Sequence, residues 1–76
     1  MNPKQMVGKR VLFHDPEHAN HVTGGQGVDI EGLVESTNTD ARGNAMVFVR
    51  YQRARNGQLL GVNGGWKDPI GLVIID

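Results

Sequence analysis

The sequence predicts an all-β fold of five short strands, and three features carry that expectation. Runs rich in Val, Ile and Phe are short and lie between clusters of Gly, Asn and Asp, the spacing of strands joined by turns. No segment repeats apolar residues at i, i+3, i+4 and i+7 over three helical turns, so no amphipathic helix is expected. At 76 residues, 11 of them glycine, the chain has room for one core and a large share of turns, which excludes a large catalytic fold.

The elements follow in order. Residues 1–6 begin Met1-Asn2-Pro3-Lys4 with no strand pattern and are expected as a flexible lead-in to a domain over residues 7–76. The first strand runs from Gly8 to His14. A long irregular loop is predicted from Asp15 to Gly27, where Asp15-Pro16 and Gly24-Gly25-Gln26-Gly27 supply turn chemistry. The second strand spans about Val28 to Ser36. The polar stretch from Thr37 to Asn44 reverses the chain, with Gly43-Asn44 tolerating positive φ. The third strand, Ala45 to Gln52, has the clearest pattern. Asn56-Gly57 is the preferred pair of a type I′ turn and predicts a tight hairpin into a fourth strand at Gln58 to Val62. Asn63-Gly64-Gly65 is expected to interrupt or bend that strand. Asp68-Pro69-Ile70-Gly71 reads as a single helical turn before a last strand at Leu72 to Ile75.

This order resembles the SH3-like small β-barrel superfamily, including KOW and Tudor-type modules. The residues that carry the resemblance are Gly8-Lys9-Arg10-Val11, Gly32-Leu33-Val34, Val47-Phe48-Val49-Arg50-Tyr51, and Trp66-Lys67-Asp68-Pro69 with Leu72. The resemblance implies a five-stranded barrel with a long loop after strand one. It implies no single function, because such barrels bind RNA, peptides and methylated lysine and also serve as enzyme subunits. One enzymatic relative, the plasmid-borne tetrameric dihydrofolate reductase, carries a Val-Gln-Ile-Tyr signature that this chain lacks, so its activity is not implied.

Alternation with period two puts Val11, Phe13, Ile30, Val34, Val47, Val49 and Tyr51 on one side of their strands, enough to fill a small barrel. The other side carries Leu12, Leu33, Met46 and Phe48 among Arg10, His14 and Arg50. Two explanations are open. The loop from Asp15 to Gly27 folds over these outer residues, or the strands bend inward; alternatively Leu12, Leu33, Met46 and Phe48 form an interface for a protein partner or a homo-oligomer. With no cysteine there is no disulfide staple, so a partner would supply burial that the chain is short of. Three such side chains at about 1.5–3 kcal/mol each would match the stability of a small domain.

Eight basic and eight acidic residues give zero formal net charge, which removes the long-range attraction of a protein that coats nucleic acid or anionic membrane. A local basic-aromatic cluster remains: Arg50, Arg53, Arg55 and Lys67, with Arg42 nearby and Tyr51 and Trp66 interleaved. These residues are candidates for contact with a partner or, as the alternative, for nucleic-acid binding with arginines on phosphate and rings on bases. The competing explanation is that the arginines pair with Glu35, Asp40 and Asp68 across strands. Trp66 either lines a groove with Tyr51, as the resemblance implies, or plugs the open end of the barrel.

Other constellations are weaker. His14, Asp15, Glu17, His18 and His21 lie close together but fit no familiar metal-ligand spacing, and a solvated loop is the simpler account. The glycines at 24, 25 and 27 lack the following helix that a phosphate-cradling loop needs. Ser36, Thr23, Thr37 and Thr39 have no histidine beside them in sequence, so no catalytic residue is assigned. Neither a metal nor a cofactor is expected. The chain lacks a signal-peptide run or a membrane-spanning stretch and reads as cytoplasmic. The resulting expectation is a non-enzymatic binding module for a protein partner or a second copy, with a nucleic-acid-binding barrel as the alternative and an enzyme built at an oligomer axis as a third class.

Overall fold

The computed structural model describes residues 2–16, 26–59 and 63–75. Its elements are α1 (Pro3–Met6), β1 (Arg10–Asp15), β2 (Val28–Thr39), β3 (Ala45–Ala54), β4 (Gly64–Lys67), a 3-10 turn (Pro69–Gly71) and β5 (Val73–Ile74). The strands form one antiparallel sheet in the order β4-β3-β2-β1-β5. The all-β expectation therefore holds. The sheet is not closed: β4 and β5 are its two edges.

All seven residues placed inside by alternation are buried: Val11, Phe13, Ile30, Val34, Val47, Val49 and Tyr51. Val28 and Met6 complete the core, and Leu59, Leu72 and Ile74 pack against it. β2 is the organising strand because it pairs with β1 on one side and β3 on the other. Its register against β3 slips between Glu31 and Gly32 and again between Val34 and Ser36. Each irregularity increases local twist, which lets one long strand serve two differently directed parts of the sheet. Gly32 sits between the two slips, opposite both Val11 and Tyr51. A methyl carbon there would come within 2.4 Å of Val49 Cγ1 and 2.7 Å of the Arg50 carbonyl oxygen, so the close approach of β2 and β3 requires glycine.

Several boundaries differ from the sequence expectation for physical reasons. Residues read as a flexible lead-in instead form α1. The Asn2 side chain accepts from the Lys4 amide at 3.0 Å, and Gln5 Oε1 accepts from the Asn2 amide at 3.1 Å, a reciprocal capping box ahead of Pro3. The following segment is tied to β2 by Gly8 N–H to the Val34 carbonyl (2.8 Å) and Val34 N–H to the Lys9 carbonyl (3.0 Å). β2 also runs on to Thr39, so the reversal into β3 is tighter than expected. Asp40 Oδ1 accepts from the Arg42 and Asn44 amides, both at 2.9 Å, and Gly43 alone in this turn adopts positive φ.

Asn56-Gly57 is not a type I′ turn, since neither residue has positive φ. Asn56 is committed elsewhere: its side-chain oxygen accepts from the Asp29 amide at 2.5 Å, while the Arg55 amide donates to the Asp29 carbonyl at 2.8 Å. These bonds hold the end of β3 against β2 and displace the fourth strand. Gln58 and Leu59 are not in a strand, residues 60–62 lie outside the described residues, and β4 begins at Gly64. The last strand is confined to Val73–Ile74, and the helical turn expected before it is the 3-10 turn capped by Asp68. Most of the loop predicted from Asp15 to Gly27, residues 17–25, lies outside the described residues.

Candidate binding surface on the outer face

The basic cluster resolves into two ion-paired groups. Arg50 Nε donates to Glu35 Oε1 at 2.7 Å. Arg53 Nε donates to Glu31 Oε2, and Arg55 Nη2 donates to Glu31 Oε1 at 3.2 Å. The Glu31 side chain is only 5% exposed, covered on a sheet face that otherwise meets solvent. The Arg53 hydrogen bond, followed by that of Arg55, holds the Glu31 carboxyl below the usual carboxylate range. Reciprocally, Glu35 raises Arg50 and Glu31 raises Arg53. The arginines expected to meet phosphate or a partner thus find carboxylates in their own sheet, but Glu31 is a partner not among those expected, and neither Asp40 nor Asp68 takes that role.

Tyr51 and Trp66 do not share a groove. Tyr51 points to the core side, 8% exposed, with its ring 5.5 Å from that of Phe13. Lys67 lies on this same side, its Nζ 5.1 Å from the Phe13 ring centre, 5.6 Å from that of Tyr51 and 4.0 Å from Asp15 Oδ2. Trp66, one residue earlier, faces the opposite way by strand alternation. It is no plug: 46% exposed, it stands edge-on to Phe48 at 5.4 Å between ring centres, a favoured aromatic geometry.

Gly64 and Gly65 make this arrangement possible rather than interrupting the strand. A methyl carbon at Gly64 would approach Phe48 Cζ to 3.0 Å, and one at Gly65 would approach the Tyr51 hydroxyl to 3.2 Å. The two glycines leave space for one ring on each face of the edge strand.

The four outer apolar residues fall into two groups. Leu12 lies opposite Glu31 and Leu33 opposite Arg10 and Arg50, so both are half-buried amid the ion pairs. Phe48 pairs in register with Trp66, and Met46 follows two residues along the same side of β3. Met46 and Trp66, with Asn38, Thr39 and Asp40 from the end of β2, line a hollow of about 240 Å³. The sequence alone sets Trp66 with the cations and Phe48 with the interface; their pairing follows from the β3–β4 register, and the place of Asp40 beside them from the turn after β2.

His14 Nδ1 lies 2.7 Å from Asp29 Oδ1 of the neighbouring strand. Among the described residues no group of three or more His, Cys, Asp or Glu side chains is placed to hold an ion; Glu17, His18 and His21 lie outside them. Thr23, Gly24 and Gly25 are also outside, whereas Gly27 (φ +91°) is buried beside the Asp15 carbonyl. Ser36, Thr37 and Thr39 are strand residues of β2. No helix among the described residues is long and apolar enough to cross a membrane. Comparisons with known protein families, characterised proteins and solved structures find nothing that matches this chain.

Proposed function

We propose that this chain is a non-enzymatic binding module that works by protein–protein association, foremost with a second copy of itself, through the outer face of β3 and β4. The observation that carries this reading is the Phe48–Trp66 pair with Met46 beside it: a large indole left nearly half exposed on the side of the sheet away from the core. Aromatic and methionine side chains in such a position are the usual anchors of interfaces. Ion pairing within the sheet leaves Arg50, Arg53 and Arg55 less available to phosphate, which favours a protein partner over nucleic acid.

We also read the sheet as a curled, SH3-like barrel. Support comes from its strand order and from β2, whose two bulges let it bend while pairing on both sides. A solved structure with the ends of β4 and β5 brought together would test that finer reading.

Light scattering across the micromolar range tests the association. The protein is expected to form a dimer or larger species, and Phe48→Glu is expected to dissociate it while the far-ultraviolet circular dichroism stays unchanged. Trp66→Glu is the second variant, because Trp66 is the more exposed of the pair. A wild-type monomer at high micromolar concentration would overturn the reading, and salt-sensitive retention of an oligonucleotide would replace it with the nucleic-acid alternative.

A further inference from the structure

The hollow beside Trp66 has a polar wall as well as an apolar one. Trp66 and Met46 form one side; Asn38, Thr39 and Asp40 form the other. Asp40 is ionised and held in place. Its Oδ1 accepts from the backbone of Asn44 and Arg42, which draws its carboxyl below the ordinary aspartate range. Its Oδ2 has, among the described residues, a long contact of 3.4 Å to Asn44 Nδ2 and keeps acceptor capacity. An indole face, a thioether and a carboxylate around a small hollow form a receptor for a cation with an apolar stem.

One cation of this chain shares the turn that carries the carboxylate. Arg50, Arg53 and Arg55 are engaged by Glu35 and Glu31, and Lys67 stands over Phe13 and Tyr51 on the other face. Arg42 is exposed and its side chain has no partner among the described residues, although its own backbone amide donates to Asp40. Receptor and cation therefore sit on one turn, two residues apart. In a symmetric dimer whose two-fold axis ran beside that turn, the Arg42 of each copy would meet the hollow of the other, a reciprocal contact. Lys4, Lys9 and Arg10 are also exposed, and Pro3, next to Lys4, lines a neighbouring hollow with Asp40, Asn44 and Met46, but none of the three lies on the turn that carries Asp40.

The geometry points to Arg42 of one copy lodging between Trp66, Met46 and Asp40 of a second copy, so that the hollow is a guanidinium site completed by self-association. This rests on the proposed self-association and adds which residue fills the interface. It also explains how a neutral chain gains orientation: an apolar patch alone is non-directional, whereas a reciprocal Arg–Asp pair fixes register.

The test uses the full chain and its single tryptophan as reporter. Arg42→Ala is expected to raise the dimer dissociation constant at least tenfold with circular dichroism unchanged, and Arg42→Lys to fall between, since an ammonium lacks the planar fork. N-acetyl-arginine amide at millimolar concentration is expected to alter Trp66 emission in the Arg42→Ala variant and to compete with wild-type dimerisation. If wild type dimerises, Phe48→Glu dissociates it and Arg42→Ala does not, the arginine assignment is overturned while the interface stands. If wild type is monomeric at every concentration, both readings fall.

Discussion

Over β2 and the end of β3 the charged groups of the outer face close on one another: Glu31 is covered and bonded by Arg53 and Arg55, and Arg50 is turned onto Glu35, while the arginines themselves stay exposed. Immediately beside it, over β4 and the start of β3, the same face carries Trp66, nearly half exposed against Phe48. Both regions project from one backbone layer, so the contrast comes from the side chains together with the position of each strand in the sheet. Charged groups find partners across adjacent strands, whereas β4 is an edge and has a strand on one side only. Burial of its aromatics must come from outside the sheet or not at all. Changes in the closed region should therefore appear as lost folding stability, and changes in the open region as lost association.

The largest expected effect lies beneath the closed region, at Gly32. Gly32→Ala forces a carbon against Val49 and, more seriously, against the Arg50 backbone, which cannot rotate away. Overpacking of this kind costs about 1–3 kcal/mol, which for so small a domain lowers the melting temperature by roughly 5–20 °C. Trp66→Ala, by contrast, should leave the melting temperature of the dilute monomer nearly unchanged while abolishing association. Calorimetry at low concentration and light scattering at high concentration separate the two. Equal thermal losses in both variants would mean that Trp66 belongs to the folding core and that the regions do not differ in kind.

A middle effect concerns pH. The folded-state pKa of Glu31 lies below its usual value of about 4.5 because the arginine hydrogen bonds favour the charged form. A depressed pKa adds stability that is fully present above the unfolded value and is lost as pH falls through the folded one. Unfolding midpoints should therefore drop below pH 4.5, and Glu31→Gln should be less stable at neutral pH with a flatter acid limb. Asp40, lowered from about 3.8 by the Asn44 and Arg42 amides, adds to the same limb at lower pH. An unchanged acid limb in Glu31→Gln would show that the ion pairs over β2 contribute nothing to closure.

The contrast also shows which features could be read before any coordinates. The seven core positions were legible because alternation needs only the residue's own strand, and all seven are buried. The 3-10 turn was legible from Asp68-Pro69, whose capping and fixed φ are local. What failed depended on partners distant in sequence. Asn56-Gly57 carries the composition of a tight hairpin, but the Asn56 side chain is drawn to Asp29 across the sheet. Gly64 and Gly65 have no side chain to display alternation, and their reason for being glycine is a ring from β3 on each face. Without the β3–β4 connection the facing of Trp66 is not readable, and its nearness in sequence to the cations suggests a groove with Tyr51, which lies on the other side. Leu12, Leu33, Met46 and Phe48 lie opposite the core and are all half-buried, but which of them neighbour the charged groups and which neighbour Trp66 follows only from the register.

The smallest effect probes an element that belongs to neither region. α1 is a single turn, too short for periodicity to reveal, yet Asn2, Pro3 and Gln5 spell its capping box. Its value to the fold is to seat Met6 in the core, beside Pro69, Leu72 and Ile74. Loss of an N-cap side chain costs about 1 kcal/mol, so Asn2→Ala should lower the melting temperature by a few degrees and leave association at Trp66 untouched. Amide exchange gives the sharper readout. The Gly8 and Lys9 amides, bonded to Val34 and Met6, should exchange faster in Asn2→Ala, whereas those of β3 keep their protection. Uniform acceleration along β2 and β3 would instead mean that α1 is part of the cooperative core, and that the fold's stability reaches back to the second residue of the chain.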